Sequence, residues 1–333
     1  MKVYNIAIIG IGNIAEKFHI PAINKIGNCK LFALCDLDKV TLYNAGKKYN
    51  IDSQFLYLDY ELLLTNNNID IVLIATPNKF HCLQAIKALN SKKHVLVEKP
   101  FALNYFESTS MVNTALENNK SIMCLHHNRF KDCSVQSKKI IDSGALGEIF
   151  YTKASVLLRD SIPTEPHYID NTSSGGGPLY DVGYHFIDLA WWIMGQPKPS
   201  HIIGKLWHHN NISSTQCEDF AIGSIYFKDG SSLFIESSYS AKVKKDQIEC
   251  NFFGTKGSLS WPLGDFTLVK NSNTLQGKIP TSNRQVIATI EQVKHFLNMI
   301  DSSEKAYIED SSSVVRIIEQ LVESSNKKKV IYF

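Results

Sequence analysis

Short apolar runs alternate with helical apolar spacing through the first third of the chain. Ile6-Ala-Ile-Ile9, Ile69 to Ala75 and His94-Val-Leu-Val97 are bounded by Gly10, Thr76-Pro77 and Glu98-Lys99-Pro100. Such runs predict strands buried on both faces of a parallel sheet. Lys30 to Asp36 and Ser121 to Leu125 read the same way, with a short strand near Phe55 to Leu58. Helical spacing covers 14–26, the stretch capped by Asp38 through Tyr49, a short piece from Asp59, a stretch ending near Asn90, and 105–118. Pro21 predicts a bend or break in the first of these. This alternation implies a doubly wound parallel sheet with right-handed crossovers.

From about residue 130 the pattern changes. Ile149 to Arg159, Ile202 to Trp207, Phe220 to Phe227, Ser232 to Tyr239 and Ile248 to Phe253 are strand-like and joined by short turns such as Lys228-Asp-Gly230. Consecutive strands of this kind predict a largely antiparallel sheet. Helices are expected over Leu179 to Met194, Arg284 to Ile300 and Asp310 to Ser324. The expected fold is thus an α/β Rossmann domain over 1–127 and an α+β domain with an open, largely antiparallel sheet over 128–333.

The length of 333 residues and 44% hydrophobic content suffice for two cores. A net charge of +3, with no basic run longer than Lys327-Lys328-Lys329, gives no case for nucleic acid. The apolar runs are strand-sized, so no membrane span is expected. Seven scattered cysteines without a C-x-x-C pair read as reduced thiols of a cytoplasmic protein. The adjacent pairs His126-His127 and His208-His209 lack metal-ligand spacing, and no metal site is expected.

The candidate chemistry gathers at strand ends. Gly10-Ile-Gly12-Asn13-Ile14-Ala15 follows the first strand as a G-x-G-x-x-A turn. Gly10 serves the tight turn, Gly12 leaves room for a phosphate, and Ala15 lets the helix pack close. Free N–H groups at the start of that helix are aimed at a pyrophosphate. Asp36, at the end of the second strand, is placed to accept hydrogen bonds from the adenosine ribose. No arginine follows it closely, which favours NAD over NADP, although Lys39 is within reach of a phosphate. Thr76 and Lys99 also fall at strand ends, where ligands of such sheets bind. Pro100 biases Lys99 toward extended geometry and leaves its own peptide bond open to cis or trans. Asp181 and His185, at i and i+4, share one helical face. The glycines before them, Gly175 to Gly177, read as a flexible leading loop. Asn128 and Arg129 follow the sixth strand, where a place in the cleft and a place on the surface are both open.

These motifs together resemble the glucose–fructose oxidoreductase / inositol dehydrogenase / rhizopine-catabolism (Gfo/Idh/MocA) family. The matching stretches are Gly10-Ile-Gly-Asn-Ile-Ala15, Ala75-Thr76-Pro77-Asn78 with His81, Glu98-Lys99-Pro100, and Gly175-Gly-Gly-Pro-Leu-Tyr-Asp-Val-Gly-Tyr-His185. The resemblance implies nicotinamide-dependent hydride transfer on a sugar, a sugar derivative or a cyclitol. It implies that Lys99 and His185 act on the reacting hydroxyl, with Asp181 beside them. The cofactor set it implies is Gly10, Gly12, Asn13, Ile14, Asp36, Ala75, Thr76, Pro77, Asn78, His81, Glu98, Lys99 and Arg129. Arg159, His167 and Tyr168 lie where members of the family vary with substrate. Pairing through the second-domain sheet, as a homodimer or a tetramer of such dimers, is also implied. Two further readings stay open: an NAD-dependent glycosidase with transient oxidation, and a sugar- or dinucleotide-sensing regulator. The intact Lys99 and His185 argue against the regulator.

Overall fold

The computed structural model describes residues 2–163, 170–209, 217–262, 265–270, 273–278, 285–302 and 308–333. His167 and Tyr168 lie outside the described residues. The chain forms two compact units, Met1–His127 with Arg284–Val315, and Asn128–Asn283 with Arg316–Phe333.

The first unit holds strands β1 (Tyr4–Ile9), β2 (Cys29–Cys35), β3 (Leu56–Tyr57), β4 (Ile71–Ile74), β5 (His94–Val97) and β6 (Ile122–Cys124). They form one parallel sheet in the order β3-β2-β1-β4-β5-β6. Ile6 to Ile9 of β1 and all of β4 are buried, which explains their unbroken apolar runs. Helices α2 (Lys39–Tyr49), α3 (Tyr60–Leu64), α4 (His81–Asn90) and α5 (Tyr105–Glu117) connect them. Asp38 caps α2 by accepting from the amides of Val40 and Thr41. The break expected at Pro21 takes the form of a π-turn, Ala15–His19, running into α1 (Ile20–Ile23). Pro21 has no N–H to continue an α-helical ladder, and the Ile20 amide bonds to the Ala15 carbonyl instead.

The expected second domain of 128–333 needs one correction. Helix α9 (Gln285–Ser302) buries Val293, Phe296, Leu297 and Met299 in the core of the first unit, beside Ile6, Ile8 and Ile23. Tyr4 also donates its hydroxyl to Asp301 Oδ1 at 2.6 Å. The amphipathic spacing of this segment had no feature to show which core it would complete.

The second unit contains a nine-stranded sheet. Its strands are β7 (Ile149–Leu157), β8 (Pro199–Trp207), β9 (Phe220–Phe227), β10 (Ser232–Ser238), β11 (Gln247–Gly254), β12 (Gly257–Trp261), β13 (Asp265–Lys270), β14 (Asn273–Lys278) and β15 (Ile331–Tyr332). The order is β14-β13-β12-β11-β7-β10-β9-β8-β15, with β7 and β10 parallel and the other pairs antiparallel. Burial alternates along β9 and β10, so one face is the core face. In this unit α6 (Asp132–Asp142), α7 (Asn171–Ser174) and α8 (Tyr184–Ile193) precede the last helix, α10 (Ile308–Lys327), which begins among residues of the first unit. Trp191 is core and donates its indole N–H to the Pro197 carbonyl at 2.9 Å.

Candidate active site

In the first unit the candidate residues line the carboxyl edge of the parallel sheet. Gly10 ends β1 with φ +91°, and a Cβ there would stand 2.6 Å from the Ala75 carbonyl oxygen. Both the left-handed geometry and the close approach of β4's end therefore demand glycine. Gly12 is the opposite case: a Cβ would meet nothing within 4 Å, and Gly12, Asn13 and Ile14 are exposed. That open ground beside the turn fits a pyrophosphate. Asp36 Oδ2 accepts the Ile11 amide at 2.7 Å and Oδ1 the Asp38 amide at 2.9 Å, so the expected ribose ligand also anchors the glycine turn.

Ala75, Thr76, Pro77 and Asn78 follow β4 and are half-buried. The Ala75 amide continues the ladder to the Ile9 carbonyl at 2.8 Å, and the Thr76 hydroxyl donates to Gln84 Oε1 at 2.7 Å. His81 differs from its expected role as a cofactor contact. It is wholly buried, with Nδ1 2.9 Å from the Pro100 carbonyl and Nε2 2.9 Å from the Thr76 carbonyl. Burial lowers its pKa, partly opposed by these two backbone bonds. It ties the loop after β4 to the turn after β5 and is support for the site rather than its surface.

Glu98 and Lys99 follow β5, and the Lys99–Pro100 peptide is cis. Glu98 Oε1 pairs with His19 Nε2 at 2.6 Å, and Glu98 Oε2 accepts the Lys99 amide at 3.0 Å. Burial alone would raise the Glu98 pKa. The His19 hydrogen bond and the positive charges of His19, Lys99 and His127 outweigh it and bring the carboxyl down to about 2. Glu98 is therefore an anion at neutral pH. His19 carried no sequence signal beyond its place two residues before Pro21.

In the second unit the candidate stretch again includes a π-turn, Leu179–Gly183, which runs into α8. Asp181 lies in this turn and His185 in the first turn of α8; both are half-buried. Tyr239, at the end of β10, donates its hydroxyl to Asp181 Oδ2 at 2.9 Å. Burial first, and the Asp181 charge second, hold the Tyr239 phenol well above its ordinary range, so it remains the donor. The glycine loop is not the flexible leader expected from its composition. A Cβ at Gly177 would lie 2.0 Å from the Glu218 carbonyl oxygen, and one at Gly176 would lie 2.4 Å from the Tyr180 ring. The buried Glu218 carboxylate accepts the amides of Gly177 and Leu179 at 2.8 and 2.9 Å and so holds the start of the turn. Sequence reading missed Tyr239 and Glu218, because both act across strands far away in the chain.

Arg129 and Arg159 sit in different surroundings. Arg129 is 3% exposed and forks onto Asp188, with Nε 2.9 Å from Oδ2 and Nη2 2.5 Å from Oδ1. The Nε and Nη2 edge of the guanidinium is thus committed to a buried carboxylate of its own unit. Arg159 is exposed, with its amide donating to Asp246.

Comparison with known proteins agrees with these observations. The sequence model of a family described as an oxidoreductase family with an NAD-binding Rossmann fold matches residues 4–126. The model of the GFO/IDH/MocA C-terminal domain matches residues 135–260. The chain is 28% identical over 324 residues to D-glucoside 3-dehydrogenase of Escherichia coli (strain K12), covering 91% of each. It is 26% identical over 255 residues to myo-inositol 2-dehydrogenase of Thermotoga maritima, covering 76% of this chain and 74% of that one. Among solved structures, levoglucosan dehydrogenase in complex with NADH superposes with a TM-score of 0.90 at 20% identity, over 99% of both chains.

Proposed function

The chain belongs to the Gfo/Idh/MocA family of oxidoreductases with an NAD-binding Rossmann fold, and from that premise we propose that it is an NAD-dependent dehydrogenase. Its substrate is a secondary hydroxyl, or the corresponding ketone, of a sugar, a sugar derivative or a cyclitol, the classes named for its relatives. One observation carries the reading. The ends of β1, β2, β4 and β5 bring Gly10, Asp36, Thr76 and the Glu98-Lys99 pair to one edge of one parallel sheet, where dinucleotides bind.

A bound nicotinamide supplies the hydride acceptor. Hydride leaves a carbinol carbon only as its hydroxyl proton is removed, so the protein must provide a base and a positive group. Lys99 is the positive group, polarising the oxygen and stabilising developing alkoxide. His185 is the general acid/base, since an imidazole titrates near working pH. Asp181, fixed by the Tyr239 hydroxyl, orients His185 or binds a neighbouring hydroxyl.

A panel of sugars, sugar phosphates, nucleotide sugars and inositols, screened for NADH formation, tests the reading. Free NADH on turnover supports a dehydrogenase, whereas glycoside cleavage without NADH release points to the transiently oxidising glycosidase. Cytoplasmic residence fits the seven cysteines, none of which forms a disulfide. Among the described residues no helix is long and apolar enough to cross a membrane. Self-association through the second unit's sheet completes the proposal.

A further inference from the structure

The π-turn Ala15–His19 serves a purpose that the dinucleotide fingerprint alone does not require. It delivers an imidazole, 3% exposed, from the helix that opens at the glycine turn to the carboxylate at the end of β5. Because Glu98 is ionised, it offers only acceptors, so His19 Nε2 carries the proton and donates it to Oε1 at 2.6 Å. Among the described residues, buried His19 Nδ1 has no hydrogen-bond partner. The ring is therefore held in the site by its bond to Glu98, with no second polar bond to fix it. The other oxygen of Glu98 accepts the backbone amide of Lys99 at 3.0 Å. Helix, carboxylate and lysine backbone thus form one continuous chain of polar contacts within the first unit.

We propose that His19 is a positioning residue for hydride transfer: by gripping Glu98 it fixes the backbone of Lys99 relative to the helix that receives the cofactor's pyrophosphate. The inference rests on the dehydrogenase reading for its kinetic consequence but not for its structural one. A lysine set a fraction of an ångström off its near-attack position loses rate while the cofactor still binds. His19 substitutions therefore act mainly on kcat. The consequences for KM of NAD are small, because none of the residues in the glycine turn is altered.

The test has two arms. The first reads the Lys99 amide directly, in protein labelled with 15N-lysine, by hydrogen exchange. His19→Ala frees the Glu98 carboxylate and is expected to speed Lys99 amide exchange by about 10-fold or more, a loss of about 1.4 kcal/mol of protection. Glu98→Gln, which keeps the shape and weakens the acceptor, should move it in the same direction. His19→Gln, whose side-chain N–H₂ replaces Nε2 as donor, should restore protection. The second arm uses the sugar that gives the best NADH formation. His19→Ala should lower kcat by about 10-fold to 100-fold with KM for NAD within a factor of about 2, and His19→Gln should recover most of the loss. Wild-type Lys99 exchange in His19→Ala overturns the inference whatever the substrate screen returns. Faster exchange with unchanged kcat also overturns it, by reducing His19 to a structural contact. A screen without turnover counts against the dehydrogenase reading, while the exchange arm still decides whether His19 holds Lys99.

Discussion

The amide of Ile11 donates to the Asp36 carboxylate at 2.7 Å, joining the turn after β1 to the end of β2. The same carboxylate takes the Asp38 amide, so two backbone donors hold it in place at the edge of the sheet. A 2′-phosphate brought there meets a fixed negative charge, and the residues that follow supply Lys39 but no arginine. The expected outcome is a kcat/KM for NAD at least about 10-fold above that for NADP, or about 1.4 kcal/mol. Asp36→Ala should narrow this ratio. It should also raise KM for both cofactors, because the Ile11 amide loses its acceptor. Equal or better use of NADP by the wild type refutes the prediction.

Acid stability reports on the Glu98 pair. The Glu98 carboxyl falls from an ordinary value of 4.5 to about 2 in the folded protein. A depressed pKa means that the unfolded state takes up the proton first. The stabilisation is therefore complete above about pH 5, declines as the pH falls through the interval between the two values, and is gone below about 2. Denaturant unfolding of wild type and Glu98→Gln at about pH 6 and about pH 3 measures it. The wild-type advantage should shrink by about 2 kcal/mol between the two. A constant difference at both pH values contradicts the assignment.

Much of this could be read from residues alone, and the failures have a common cause. The β1 and β4 runs, the Gly10 turn and the Asp38 cap are local: a few neighbouring side chains decide them, and the structure has them where the pattern put them. His19, Tyr239 and Glu218 act on residues 79, 58 and 39 or 41 positions away. Nothing in their own surroundings marks them. Arg129 is the reverse case: an arginine after a strand end looks wholly available, yet Asp188, 59 residues on, takes one edge of its fork. The glycines at 175–177 look flexible by composition, yet Glu218 and Tyr180 fill the space where their side chains would be.

Among the described residues, one face of the second unit's sheet carries exposed apolar and aromatic side chains. Registers place His201, Ile203, Lys205 and Trp207 of β8 beside Phe220, Ile222, Ser224 and Tyr226 of β9, with Phe234 and Glu236 of β10 next in line. Ile203 is 47% exposed, Tyr226 39% and Tyr332 75%. The rings are already ordered: His201 stacks on Tyr226 at 4.5 Å between centroids, and Trp207 meets Phe220 edge-on at 5.9 Å. Ile203, Ile222 and Phe234 also line a cavity of about 320 Å³. A broad apolar face of this kind, bearing the Lys153–Glu236 pair at 2.8 Å, suits a second copy of the same chain. Light scattering at micromolar concentration should give a dimer or a tetramer of dimers. Ile203→Asp should weaken the association by on the order of 100-fold. A monomeric wild type would count against this face as the contact.

Catalysis gives the sharpest test. The proton of the reacting hydroxyl needs an acceptor, and the developing alkoxide needs a positive neighbour; His185 and Lys99 are assigned those parts. General acid–base catalysis contributes about 10²- to 10⁴-fold, so His185→Ala and Lys99→Ala should each lose that much kcat, with NAD affinity little changed. If the two act on one proton, the double variant should lose far less than the product of the single losses, because either absence already disables the step. Asp181→Asn keeps an acceptor for the Tyr239 hydroxyl but removes the charge, and should lose less than His185→Ala. Tyr239→Phe separates holding from chemistry: it leaves the Asp181 charge in place and removes only the 2.9 Å bond that orients it. It is expected to lower kcat by about 10-fold, in line with the loss of one hydrogen bond to a charged group. Wild-type turnover by His185→Ala or Lys99→Ala, with the circular dichroism spectrum intact, would overturn the assignment.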